Sequence, residues 1–152
     1  MKHILFVCTG NTCRSSMAEA LFRDMIKERE EFNEIRVESA GIFATDNRPA
    51  SKQAIKALEE ESIDLTNHRS QQLTADQILK ADLILTMTDN HKEAILRMAP
   101  DAKGKTFTLK EFAYNEIKDI HDPFGQSIEG YRSSKAEIKK ALEKVIEKIK
   151  NL

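Results

Sequence analysis

Cys8 and Arg14 bracket five residues, Thr9-Gly10-Asn11-Thr12-Cys13, and Ser15 follows directly. A thiol and a guanidinium at that spacing on a curled loop suit nucleophilic attack on a phosphoryl group that the loop itself holds. Backbone N–H groups of such a loop converge on one point, and a helix opening just beyond it adds unpaired donors and its positive dipole end. That field favours the thiolate of Cys8, the nucleophilic form. Arg14 offers a planar fork of donors to two phosphoryl oxygens at once, which a lysine does not. Gly10 is able to adopt the positive φ of a tight anion-cradling turn, Asn11 is the next most tolerant type, and both belong in such a bend.

Other chemistries find less support. A glycine-rich loop ending in Gly-Lys-Ser/Thr is absent, which argues against nucleotide hydrolysis. Cys8 and Cys13 have no nearby second pair to complete a tetrahedral metal set, and His3, His68, His91 and His121 are scattered. No metal and no cofactor are expected. The 24 basic and 25 acidic residues leave a formal charge of −1, without the basic footprint that nucleic acid or an anionic membrane demands. Met1 to Val7 is apolar over too few positions for a signal segment or a membrane span, so the expected location is the cytoplasm. Two cysteines five positions apart make a poor structural staple.

The elements that must position this loop follow from periodicity. His3 to Val7 is a short apolar run that reads as a buried strand, and Met17, Leu21, Met25 and Ile26 recur at helical spacing from about Arg14. A second strand is expected over Ile35 to Glu38, and Pro49 is expected to open a helix carrying Ile55 and Leu58. Thr74 caps a short helix before a strand centred on Leu83-Ile84-Leu85. A helix from Asn90 stops before Pro100, then come a strand over Thr106 to Leu109, a helical turn over Lys110 to Tyr114 and a loop over Asp119 to Gly125. From Ser127 onwards, Ile128, Tyr131, Ile138, Leu142, Val145, Ile146 and Ile149 mark one face of a long helix. This alternation predicts one α/β domain over residues 1–152. The expected architecture is a three-layer sandwich with a central parallel sheet of about four strands, helices on both faces and a site at the strands' carboxyl ends.

The loop, with Val7 before it, strongly resembles the low-molecular-weight protein tyrosine phosphatase family. Ser39-Ala40-Gly41, His68 with Leu73-Thr74, Leu85-Thr86-Met87 and Asp122-Pro123-Phe124-Gly125 fall in the family's order, so the resemblance covers nearly the whole chain. It implies Cys8 as nucleophile, Arg14 as phosphate clamp and Asp122 as general acid. Asn11, Ser15, Ser39 and His68 are implied as the network that shapes the loop and supplies the thiolate with a hydrogen bond. Thr9, Gly10, Asn11, Thr12, Cys13, Ser15 and Phe124 are the expected substrate-binding residues. Ser16 stands where most relatives have proline, and a serine there is expected to cap the helix.

Thr12 narrows the substrate. Tyrosine-directed relatives usually carry isoleucine there, whereas the bacterial protein-arginine phosphatases of the family carry threonine, and Gly125 lacks the second aromatic of many tyrosine-directed members. The resemblance therefore implies phosphoarginine on proteins, with phosphotyrosine as the alternative, through a phosphocysteine intermediate. Asp122→Ala is expected to accumulate phosphoenzyme, and Cys8→Ser to form none. Cys13 is the expected redox partner of Cys8. An arsenate reductase using an external thiol and a non-catalytic phosphate-binding redox sensor are the rival readings. The first lacks the downstream cysteines of an internal relay, and the second has no use for Asp122-Pro123.

Overall fold

The computed structural model describes residues 2–151, so Met1 and Leu152, the outer ends of the expected domain, lie outside the described residues. Each short apolar run becomes a strand of one parallel sheet. β1 (His3–Cys8) lies between β2 (Arg36–Gly41) and β3 (Leu83–Thr86), and β4 (Thr106–Thr108) flanks β3. All three pairings are parallel, as the expectation of about four parallel strands required.

Side chains alternate across β1 and feed two cores. Ile4, Phe6 and Cys8 join one, and Leu5 and Val7 the other. On the first face, α1 (Arg14–Ile26), α2 (Lys52–Glu59), α5 (Leu109–Tyr114) and α6 (Ile128–Lys150) contribute Met17, Leu21, Leu58, Leu109, Leu142 and Val145. On the second, α3 (Ala75–Lys80) and α4 (Asp89–Met98) contribute Ile78 and Ile95. Helices therefore cover both faces of the sheet. Each such side chain contributes about 1.5–3 kcal/mol of burial. Lys135 is the charged exception on the inner face of α6, and its ammonium donates to the Ala57 carbonyl at 3.1 Å, tying α6 to the end of α2.

Several boundaries differ from the sequence expectations for local reasons. β2 runs on to Gly41 because each of its residues finds a β1 partner, ending at Cys8 opposite Gly41. α2 opens at Lys52, since the Ser51 hydroxyl accepts from the Ala54 N–H and caps it, leaving Pro49 outside. β4 stops at Thr108 because that residue caps α5, accepting from Glu111 N at 3.0 Å while its own N–H donates to Glu111 Oε1 at 3.1 Å. Thr88 caps α4 one residue earlier than expected. Two 3₁₀ turns, Glu30–Phe32 and Pro100–Lys105, carry no pattern that periodicity detects. No helix among the described residues is long and apolar enough to cross a membrane.

The strand order sets the position of the site. From β1 the chain goes to β2 on one side and later to β3 on the other, so a crevice opens at the carboxyl end of β1, where Cys8 stands.

Candidate active site

The loop after β1 is held by its one left-handed residue. Asn11, not Gly10, takes the positive φ, at 60°, and it is fully buried. Asparagine tolerates that conformation when its side chain is well bonded, and here every polar part of it is used. Its Nδ2 donates to Ser15 Oγ at 2.8 Å and Ser39 Oγ at 2.9 Å, and its Oδ1 accepts from Gln71 N at 3.0 Å. Its carbonyl accepts from His68 Nε2 at 2.6 Å, which places the proton of that imidazole on Nε2.

These bonds have a direction that ends on sulfur. Ser15 Oγ accepts from Asn11, so its hydrogen is free to point to Cys8 Sγ, 2.8 Å away, and the Asn11 backbone N–H approaches the same sulfur at 3.3 Å. Two donors thus converge on Cys8 Sγ. On the far side, Ser39 Oγ donates to Glu19 Oε1 at 2.5 Å, and Glu19 also pairs with Arg23 at 2.8 Å. Neither spacing nor motif pointed to Glu19 or Gln71, because their roles exist only once β2, α1 and the segment around residue 71 meet.

No side chain caps α1. Ser16 does not cap it as expected: its hydroxyl donates back to the Cys13 carbonyl at 2.8 Å, satisfying itself rather than a first-turn N–H. Helix N-termini with free donors suit an anion.

Arg14 is 5% exposed, and its Nη1 donates to the Ile120 carbonyl at 3.0 Å. Its Nη2 stands 3.5 Å from Asp122 Oδ2. The segment that carries Asp122 is anchored independently. Ile120 N donates to the Met87 carbonyl at the end of β3, Asp119 Oδ1 accepts from Asp89 N in the first turn of α4, and Ser134 of α6 donates to the His121 carbonyl, all at 2.8 Å. Asp122 Oδ1 accepts from Phe124 N at 3.0 Å, an Asx turn that holds the carboxylate and the phenyl ring together. Asp122 stays 58% exposed and Phe124 77% exposed.

One cavity of about 220 Å³ is lined by Cys8, Thr9, Gly10, Thr12, Cys13, Arg14, Asp122 and Phe124. The structure brings these expected residues together around one space, with Asn11, Ser15, Ser39 and His68 in the hydrogen-bonded network around the loop. A larger cavity of about 570 Å³ lies on the other side of the Ser39 and His68 network. It does not include Cys8. Among the described residues, no group of three or more His, Cys, Asp or Glu is placed to hold a metal ion.

Both cysteines are free thiols. Cys13 Sγ lies 3.2 Å from Tyr131 Oη of α6, and burial together with this contact pushes the Tyr131 phenol up to about 12. On the opposite wall, Thr9 Oγ1 is 2.8 Å from His91 Nε2. Tyr131 was expected only as a core residue and His91 only as one of four scattered histidines.

Comparison with known proteins agrees with this geometry. The family model of the low molecular weight phosphotyrosine protein phosphatases matches residues 3–152. A protein-arginine-phosphatase of Bacillus subtilis is 46% identical over 147 residues, covering 97% of this chain and 96% of that protein. The solved structure of an arginine phosphatase from Geobacillus stearothermophilus superposes with a TM-score of 0.92 at 42% identity, covering 99% of this chain and 94% of that one. A further arginine phosphatase structure, a mutant with a phosphorylated active site serine, matches with the same score and identity over 97% of this chain and 95% of that one.

Proposed function

The chain belongs to the low molecular weight phosphotyrosine protein phosphatase family and is a cysteine-dependent protein phosphatase, and from that premise we propose that it hydrolyses phosphoarginine on proteins through Cys8, Arg14 and Asp122. The observation that carries the substrate is the make-up of the catalytic cavity. Its wall presents the polar residues Thr9 and Thr12 and the Asp122 carboxylate, with a single and largely exposed aromatic, Phe124. A guanidinium brings several N–H donors, for which the Thr9 and Thr12 hydroxyls and the Asp122 carboxyl oxygens are acceptors, whereas a phenol oxygen brings no such set.

The reaction has two steps. Cys8 attacks phosphorus in line while Asp122 protonates the departing nitrogen, which leaves phosphocysteine and free arginine. Water then attacks phosphorus with Asp122 as base, releasing phosphate and the thiolate. Arg14 and the loop donors hold the phosphoryl oxygens through both steps. Because a related arginine phosphatase mutant carries a phosphorylated active site serine, Cys8→Ser in this chain is expected to hold a phosphoryl group rather than none. Cys8→Ala, not Cys8→Ser, is the blank for phosphoenzyme measurements.

The testing experiment compares kcat/KM for phosphoarginine and phosphotyrosine peptides in wild type and Thr12→Ile. Wild type is expected to favour phosphoarginine and Thr12→Ile to shift towards phosphotyrosine by about tenfold, the scale of one lost polar contact. A wild type that favours phosphotyrosine overturns the substrate reading in favour of the phosphotyrosine alternative.

Redox control belongs to the same proposal. Peroxide converts the Cys8 thiolate to a sulfenic acid, and the Cys13 thiol attacks that sulfur, its proton leaving with the oxygen as water, to form a Cys8–Cys13 disulfide that spares Cys8 from irreversible oxidation. Mass spectrometry after brief peroxide treatment is expected to find that disulfide, and Cys8 sulfinic acid beside a free Cys13 counts against it. A nucleophile that works as a free thiolate suits the reducing cytoplasm, where we place the protein. We take residues 1–152 as one catalytic domain, which one sheet joining residues 3 to 108 supports.

A further inference from the structure

Thr9 stands at the boundary of two cavities. It lines the catalytic cavity of about 220 Å³ and also a neighbouring one of about 620 Å³, which His91 lines with Phe43 and Asp119. Its backbone is fixed, because the Thr9 carbonyl accepts from Phe43 N at 2.9 Å. Its side chain is not fixed by backbone alone. The hydroxyl and methyl of threonine are close in size, so rotation about χ1 exchanges a polar wall for an apolar one at little steric cost. The contact that chooses between them is His91 Nε2, 2.8 Å from Thr9 Oγ1.

We propose that His91 is a positioning residue for substrate selection: it fixes the Thr9 hydroxyl as an acceptor for the leaving guanidinium, a group a phenyl ring does not use. This rests on the phosphoarginine reading. His91 is itself rigidly placed, in the first turn of α4, where its N–H donates to the Thr88 hydroxyl at 3.2 Å. The imidazole is only 7% exposed, and its Nδ1 is buried with no partner among the described residues. A buried N–H without an acceptor is rarer than a buried lone pair without a donor, so the proton sits on Nε2 and is donated to Thr9 Oγ1. One lone pair of that oxygen is then taken, and the other remains for a guanidinium N–H. Burial first, and the Arg14 guanidinium second, push the imidazole down to about 4 against the pull of Asp119 and Asp122. The neutral tautomer therefore persists across the working pH range.

The decisive quantity is the ratio of kcat/KM for phosphoarginine and phosphotyrosine peptides in wild type, Thr9→Val, His91→Leu and the double variant. Each single substitution is expected to lower the ratio by about tenfold, and the double variant to lower it no further, because both remove one interaction. His91→Gln, whose amide reaches the same place, is expected to restore most of the ratio. Equal losses on both substrates mean a merely structural histidine and overturn the inference, as does an additive double variant. If wild type prefers phosphoarginine and the single variants keep its ratio, only this inference falls. If wild type prefers phosphotyrosine, the substrate reading falls first. Should His91→Leu fold poorly, nitrogen-15 NMR of the wild type decides: a neutral ring protonated on Nε2 is expected at pH 7, and protonation on Nδ1 or a charged ring overturns the proposal.

Discussion

At the scale of single residues, Asn11 carries the most. It holds a left-handed backbone and links Cys8, Ser15, Ser39, His68 and Gln71 through its own amide groups. Replacing it with alanine forfeits its three side-chain bonds, to Ser15, Ser39 and Gln71, at about 1 kcal/mol each, and adds about 1–2 kcal/mol of left-handed strain. Asn11→Ala is therefore expected to lose roughly 3–5 kcal/mol in urea denaturation and to lower kcat by at least about tenfold, since Ser15 is no longer turned to the sulfur. Asn11→Gly keeps the backbone conformation and separates the two effects. It is expected to recover the strain in stability but not the loss in kcat. Recovery of both would mean that the side-chain bonds are idle.

At the scale of elements, the carboxyl end of β2 presses on the loop that follows β1. A Cβ on Gly41 would stand 2.4 Å from the Thr9 carbonyl oxygen, closer than real contacts allow, and a tight 3.1 Å from Asn11 N. The absence of a side chain there lets two backbones meet, which explains why this strand ends in small residues. Gly41→Ala is expected to displace the loop, lowering kcat by at least about tenfold while costing about 1–3 kcal/mol of stability. Steady-state kinetics beside a thermal melt check this. An unchanged kcat would show that the loop tolerates the shift.

At the scale of the whole molecule, folding buries a histidine that must stay neutral. The imidazole of His91 is pushed from 6.5 down to about 4, so the unfolded chain binds a proton that the folded one refuses. Its contribution to stability is full above pH 6.5 and is lost as pH falls towards 4, by at most about 3 kcal/mol. Urea midpoints measured across that window are expected to decline in wild type and to decline less in His91→Gln. Parallel declines in the two proteins would assign the acid sensitivity to other groups.

Much was legible from the chain alone wherever the determinant is local. The loop from Cys8 to Ser15 announces anion chemistry because its residues are consecutive, and the strands and α6 announce themselves because burial imposes a period on neighbours. Caps at Thr74 and the approach to α1 belong to the same class. The choice of Asn11 over Gly10 for the left-handed position was not legible, since both types tolerate it and the partners that decide lie 28 and 60 positions away, at Ser39 and Gln71. Likewise Arg14 meets the Ile120 carbonyl across 106 positions and Thr9 meets His91 across 82. By itself, then, the sequence determined the anion-cradling loop from Cys8 to Arg14 and the alternating layers that carry it, because short-range chemistry and periodicity suffice for these. Only the tertiary structure decided that His91 meets Thr9 and Tyr131 meets Cys13 behind the loop, because packing of the layers sets those distances and nothing in local order encodes them.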